Sequence, residues 1–279
     1  MPDLAIEASD LPLRPDQYVY VETHAWWMGT FGRHTHLTEH RLQQWVPARA
    51  DREWLLVREL TGGQTWLTSS AEEAAADGFE LRDIGPTGRF VARHGRFDLS
   101  NGHVDGFGET NGEWDHHADS GELDEPPCSH SAPRRGSWQA PNPAFFAELP
   151  RDPEQLRARL RDENPGSWFG PFAASVNVLR TGLVPAALRS ALYGAVLGLP
   201  NVTLAENAKD VDGRACIALV HDAGRTRTEL LIAPADGQFA GERDTLRDDS
   251  RCGLLAGTVI SDTAGRTANV DVIGEAPTS

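Results

Sequence analysis

The chain has 279 residues and 39% hydrophobic content, enough at this length to bury roughly three quarters of the surface its unfolded form exposes. A formal charge of −15 with a single lysine, Lys209, argues against nucleic acid or an anionic membrane surface as a partner. It also excludes a Gly-Lys phosphate loop or a lysine nucleophile anywhere else, and no run of about 18 apolar residues reads as a membrane span.

Residues 1–16 form a short polar lead-in, which fits an ectodomain excised from a longer protein. Gln17–Trp27, "QYVYVETHAWW", alternates aromatic and β-branched residues and predicts a strand. Leu37–Val46 and Arg52–Leu60 flank "PARAD" as a hairpin, and Gln64–Thr68 reads as a further edge strand. Ser70–Asp77 predicts a short helix, with Ser70 as cap and Glu72 and Glu73 in its first turn. Asn101–Ala140, rich in Gly, Asp, His, Ser and Pro, has no periodicity and reads as a long loop.

The period then changes to that of helices. Asp152 caps the next one, with Pro153 at the first helical position, Gln155 three after the cap, and Leu156 and Leu160 at i, i+4. Trp168, Phe172, Val176, Leu179 and Leu183 form an apolar stripe on a second helix, capped by Asn164 or Ser167 and ended at Gly182. A third opens at Pro185, repeats Leu188, Leu192, Ala195 and Leu199 on one face, and stops at Pro200.

Six strands follow: Val202–Glu206, Ala215–Val220, Thr228–Ile232, Phe239–Leu246, Gly257–Asp262 and Thr267–Ile273. Turns at Asp212-Gly213, Asp222-Ala223-Gly224, Asp236-Gly237 and Ala264-Gly265 make them an antiparallel meander. Strands, helices, strands is the order of an α+β fold. The expected architecture is one domain over residues 17–275, its helices covering one face of a curved sheet.

Chemistry is harder to find. In "HTHLTEH", His34, His36, Thr38 and His40 share one face of a strand. At about 3.3 Å per residue His40 lies roughly 13 Å from His36, so the three histidines cannot hold one ion. The row reads as solvent-facing polar surface, with His34 and His36 as the metal-ligating alternative. His116 and His117 in the long loop carry the same two readings. There is no Gly-x-Ser-x-Gly elbow, no dinucleotide motif and no calcium-loop spacing, so no catalytic residue and no cofactor is expected. Cys216 reads as a buried small hydrophobe, and Cys128 and Cys252 are compatible with a disulfide whose distance no sequence fixes.

Aromatics carry the ligand hypothesis. Trp26, Trp27, Trp45, Trp54 and Trp66 in the first strand group, with Trp168, Phe172, Val176 and Leu179 on the covering helix, either fill the core or line a hydrophobic cavity between sheet and helices.

"LPRDPEQLRARLR" at Leu149–Arg161, "LVPAALRSALYGAVLGLPNV" at Leu183–Val202 and "GQFAGE" at Gly237–Glu242 resemble an actinobacterial family of membrane-anchored proteins encoded beside extracytoplasmic-function sigma factors. "YVYVET" and "WVPARADREWLLVREL" are similar to that family's first strands. The resemblance implies a lipoprotein-carrier-like half-barrel similar to LolA and RseB, with helices on its concave face. It also implies a membrane anchor preceding the first strand. The function implied is a non-catalytic extracytoplasmic sensor or regulatory domain linked to sigma-factor signalling. Its partner would be an apolar small molecule or lipid, or a protein of the cell envelope. Two alternatives stand beside it: a lipid or lipoprotein carrier with no regulatory role, and a metal-dependent hydrolase built on the His-rich segments.

Overall fold

Two hairpin-built sets of strands meet at the last strand of the chain. The computed structural model describes residues 6–49, 51–80, 84–93, 136–166, 169–249 and 253–277. The first set is β1 (Tyr18–Phe31), β2 (His34–Pro47), β3 (Glu53–Trp66) and β4 (Gly88–Arg93). The second is β5 (Val202–Lys209), β6 (Ala215–Ala223), β7 (Thr226–Ile232) and β8 (Phe239–Leu246). β9 (Val259–Val270) pairs with β1 on one side and β8 on the other. The result is a single nine-stranded antiparallel sheet in the order β4-β3-β2-β1-β9-β8-β7-β6-β5, curved and unclosed. With its five helices among the described residues the fold is α+β, and both strand groups belong to one sheet as expected.

Local chemistry explains most element ends. α1 (Ala71–Ala76) starts on a reciprocal capping box between Ser70 and Glu73, and α2 (Pro143–Glu148) on Asn142 with proline at the first turn. α3 (Pro153–Glu163) begins where Asp152 accepts from the Gln155 backbone at 2.9 Å. α4 (Pro171–Leu179) departs from expectation, because Gly170 and Pro171 start it while Asn164 closes α3 instead. α5 (Ala186–Leu197) opens after Pro185 as expected.

Two boundaries are corrected. β3 runs unbroken to Trp66, so Gln64–Thr68 is largely its tail, and the edge strand is β4. Ala264-Gly265 is not a turn, since β9 is continuous through it. Gly265 serves close approach instead: a Cβ there would meet the Phe239 carbonyl oxygen at 3.2 Å.

The apolar stripes of α3, α4 and α5 bury Leu156, Leu160, Phe172, Val176, Leu179, Leu188 and Leu192 against Leu219, Leu230, Ile232 and Phe239 of β6–β8. The opposite face carries two smaller clusters. Tyr18, Tyr20, Trp45, Leu55 and Val270 form one, and Cys216, Ala218, Val220, Leu231 and Ala240 the other. The lead-in is more than a tether. Ser9 donates to the Asp236 carbonyl at 3.0 Å, Ser190 donates to the Ile6 carbonyl at 3.1 Å, and Asp10 accepts from the Ala186 backbone at 2.7 Å. Residues 101–135 of the expected loop, with His116, His117 and Cys128, lie outside the described residues, as does Cys252.

The tip of the β5–β6 hairpin returns to β1 on the face away from the helices. There His24 sits between Asp212, 2.6 Å from Nδ1, and Glu39, 2.8 Å from Nε2. Burial works against the imidazolium, but the two carboxylates outweigh it and raise the His24 pKa. Both carboxylates titrate below their ordinary range. Burial opposes this at Asp212 before His24 reverses it, while the Thr61 hydroxyl leads at Glu39. A raised histidine contributes stability that is fully present below its unfolded value of about 6.5 and lost as pH rises through its folded value. The depressed carboxylates contribute above about pH 4 and lose that contribution as pH falls further. The melting-temperature gap between wild type and His24→Gln should therefore be widest at about pH 5–6.5 and shrink in mildly alkaline buffer. A gap that is constant with pH would show that the cluster carries no linked proton.

Candidate functional site

Strand alternation places His34, His36, Thr38 and His40 on one face of β2, and it is the face that carries the helices. His40 opposes Ala25, which opposes Thr263; the Thr263 hydroxyl accepts from the Glu242 backbone, and Glu242 opposes Leu230 of the helix-covered core. The row is not solvent-facing. His34, His36, Thr38 and His40 are 1%, 2%, 1% and 2% exposed. The expectation of a polar surface row treated β1–β3 as uncovered, but the segment after β3 folds back across them. Its Phe79 lies 5.0 Å from the His36 ring and 5.6 Å from that of Phe31.

His34 is a structural member of the row. Its Nδ1 meets the Ser69 hydroxyl at 2.8 Å and its Nε2 meets Asp77 at 2.8 Å, which ties the end of α1 to β2. His36 and His40 are different. His36 packs 4.8 Å from Trp66, over Gly29 of β1, where any Cβ would stand 3.1 Å from the imidazole. His40 packs 4.9 Å from Trp27. Among the described residues neither His36 nitrogen has a hydrogen-bond partner, nor do His40 Nδ1, the Thr38 hydroxyl and Nε of Arg58.

All four residues line one cleft of about 280 Å³. Trp27, Phe31, Phe79 and Ile84 supply its apolar walls, together with the Met28–Thr30 stretch of β1. Burial lowers the His36 pKa, and burial together with Arg58 pushes His40 down to about 4, so both imidazoles are neutral at pH 7. Among the described residues of the lining Arg58 is the only charged one. Burial lowers its pKa too, but a guanidinium stays protonated. Among the described residues no carboxylate forms an ion pair with it.

Five unpartnered polar atoms buried beside one cleft are costly, since each buried unsatisfied group costs about 1–3 kcal/mol. Among the described residues no group of three His, Cys, Asp or Glu is placed to hold an ion, and His34 is already engaged.

The residues expected to line a ligand cavity are not brought together. Phe172, Val176 and Leu179 are packed in the helix core, with Phe172 stacked on His221 at 4.8 Å. Trp45 lies on the other face, 5.2 Å from Tyr20, and donates to the Glu275 carbonyl at 2.7 Å. Trp26, opposite Glu39, is on that other face too, because residues an even number apart on β1 share a side with Tyr20. Trp54 is half-buried opposite Ala92 at the sheet edge. Trp168 lies outside the described residues.

Sequence reasoning missed Arg58, Phe79 and Ile84, and it singled out Trp27 only as one of five grouped tryptophans. One signal was available: Arg58 stands between Leu56 and Leu60 on the inward register of β3, where a charge must find a purpose. No family model, no curated protein and no solved structure matches the chain.

Proposed function

We propose that the chain is a non-catalytic sensor or regulatory domain that binds a small ligand in the His36–Thr38–His40–Arg58 cleft. The observation that carries this reading is the cleft itself, about 280 Å³ walled by Trp27, Phe31, Phe79 and Ile84 with Arg58 in its lining. The motif resemblance supports an extracytoplasmic setting, a membrane-anchored parent and a link to sigma-factor signalling. A lipoprotein-carrier-like half-barrel is the finer fold reading, supported by the strand–helix–strand order and the single sheet. Among the described residues no helix is long and apolar enough to cross a membrane. Ligand-observed NMR with a library of small fragments tests the reading. Fragments should bind the wild type, be displaced from Ile84→Trp, whose indole fills the cleft, and be recovered unchanged. Binding that survives the filled cleft would move the site elsewhere, and hydrolysis of ester or amide fragments would make the protein an enzyme.

A further inference from the structure

We propose that His24 is a proton-operated clasp: its imidazolium pins the tip of the β5–β6 hairpin to β1 through Asp212, and loss of the Nδ1 proton frees that tip. The clasp lies on the face away from the helices and is independent of the cleft.

Geometry carries the argument. Asp212 stands 2.6 Å from Nδ1 and Glu39 2.8 Å from Nε2. A carboxylate only accepts, so each contact needs an N–H, and only the imidazolium has both. The neutral ring keeps one, and its bare nitrogen then turns a lone pair toward a carboxylate. One of the two contacts must therefore break when the proton leaves.

The surroundings decide which. Glu39 is on β2, paired with a strand on each side, and it also accepts from the Thr61 hydroxyl and the Gly63 backbone. It cannot withdraw without disturbing the sheet. Asp212 stands on the turn between β5 and β6, which closes on itself. There Gly213 donates to the Asp210 carbonyl at 3.0 Å and the Arg214 backbone to the Asp210 carboxylate at 2.9 Å. Such a turn moves as a unit. The remaining proton stays on Nε2, facing Glu39, and the tip leaves.

The other ties of the tip limit its travel. Arg214 donates to the Gly265 carbonyl at 2.9 Å, Arg243 to the Lys209 carbonyl at 3.0 Å, and Arg266 to Asp212 at 3.3 Å. These lead to β9 and β8, whereas His24 ties the tip to the first strand set. A guanidinium stays charged throughout, so the tip loosens from β1 and remains held at its base.

The groups facing the clasp are Glu22 on β1, Glu39 and Arg41 on β2, Glu59 on β3, Asp262 and Arg266 on β9, and Asp210, Asp212 and Arg214 at the tip. All are carboxylates or guanidiniums, whose ordinary values lie far from neutral pH. Burial raises Asp262, but Arg243 pairs with it at 2.8 Å, and burial moves the Cys216 thiol beneath the tip further from neutrality. His24 is therefore the group that titrates here. Burial works against its charge, yet the two carboxylates raise its pKa, which puts release above about pH 6.5.

Long-range 1H–15N spectra of the imidazoles in the full chain, with the Val211 methyls as reporters of the tip, test the clasp between about pH 6 and pH 9. His24 should pass from imidazolium to the Nε2–H tautomer with a midpoint above about 6.5, and the methyl order parameters of Val211 should fall with the same midpoint. Asp212→Asn leaves the turn its closing bonds, which belong to Asp210. In that variant the His24 midpoint should drop and the Val211 order should no longer depend on pH. A neutral His24 found as the Nδ1–H tautomer would show that the Asp212 contact survives, and would overturn the proposal. So would a midpoint at or below about 6.5, a Val211 order unchanged through the titration, or an Asp212→Asn variant that responds as the wild type does.

Discussion

Phe172→Ala should lower the free energy of unfolding by about 3–5 kcal/mol, read as a fall in the urea midpoint with an unchanged slope. Phe172 is 4% exposed on α4, in one cluster with Val176, Leu179 and the sheet residues Leu219 and Leu230. Its ring lies flat on His221, 19° from parallel. The walls of the void left by alanine belong to β6–β8 and to three helices docked on one another, so collapse around it is restricted. Phe172→Leu, which keeps much of the volume, should cost less than about 1.5 kcal/mol. A hydrophobic dye should respond to neither variant while it stays folded, because the site is core and not cavity. A cost below about 1 kcal/mol for the alanine variant would show that α4 is not docked as described.

The stripe that carries this prediction was legible in the sequence because helical period and burial coincide there. Val176 and Leu179 follow Phe172 on one face, and a stripe of that length needs an apolar surface to cover it. The capping residues of α1 and α3 were equally plain, since Ser70 and Asp152 act on backbone groups three residues away. The cleft was not legible, for two reasons. Period two says which residues of β2 share a face, but not whether that face is wet. That depends on where the segment carrying Phe79 and Ile84 lands, a long-range event with no local signature. The tryptophans were grouped by proximity in sequence, whereas alternation puts Trp26 and Trp27 on opposite faces of β1. Only the latter lines the cleft.

The second large effect is expected at Arg189, where leucine should cost about 3–5 kcal/mol. Arg189 is 2% exposed on α5 and gathers five oxygens. Nη1 donates to Asp10 at 2.6 Å and to the Val184 carbonyl at 2.7 Å, Nη2 to the Ser9 carbonyl at 2.7 Å and the Asp236 carbonyl at 3.5 Å, and Nε to the Gly237 carbonyl at 3.1 Å. Leucine fills part of the space but leaves those acceptors short of a donor, and the penalty for a buried unsatisfied group outweighs the gain of an apolar side chain. Asp10→Asn should cost clearly less, since Asp10 is 45% exposed and the four carbonyls remain on the guanidinium. Residues 6–16 should also become more readily cut by proteinase K in Arg189→Leu, because Ser9 and Asp10 lose their anchor. Unchanged stability together with an unchanged cleavage pattern would contradict the proposed role of the lead-in as a strap across α5.

The position of β9 governs how this sheet is reached as well as how it stands. β1 to β3 and β5 to β8 are joined to their neighbours by short turns, so each set can assemble from local contacts. The seam between them is as non-local as the chain allows, with Tyr18 opposite Val270. Contacts of such sequence separation slow folding, because loop entropy is lost before they form. Until β9 docks, β1 and β8 each present a bare row of backbone donors and acceptors, a template for pairing with another molecule. Refolding yield should therefore fall with protein concentration and recover when dilution gives β9 time to close the seam before two half-sheets meet.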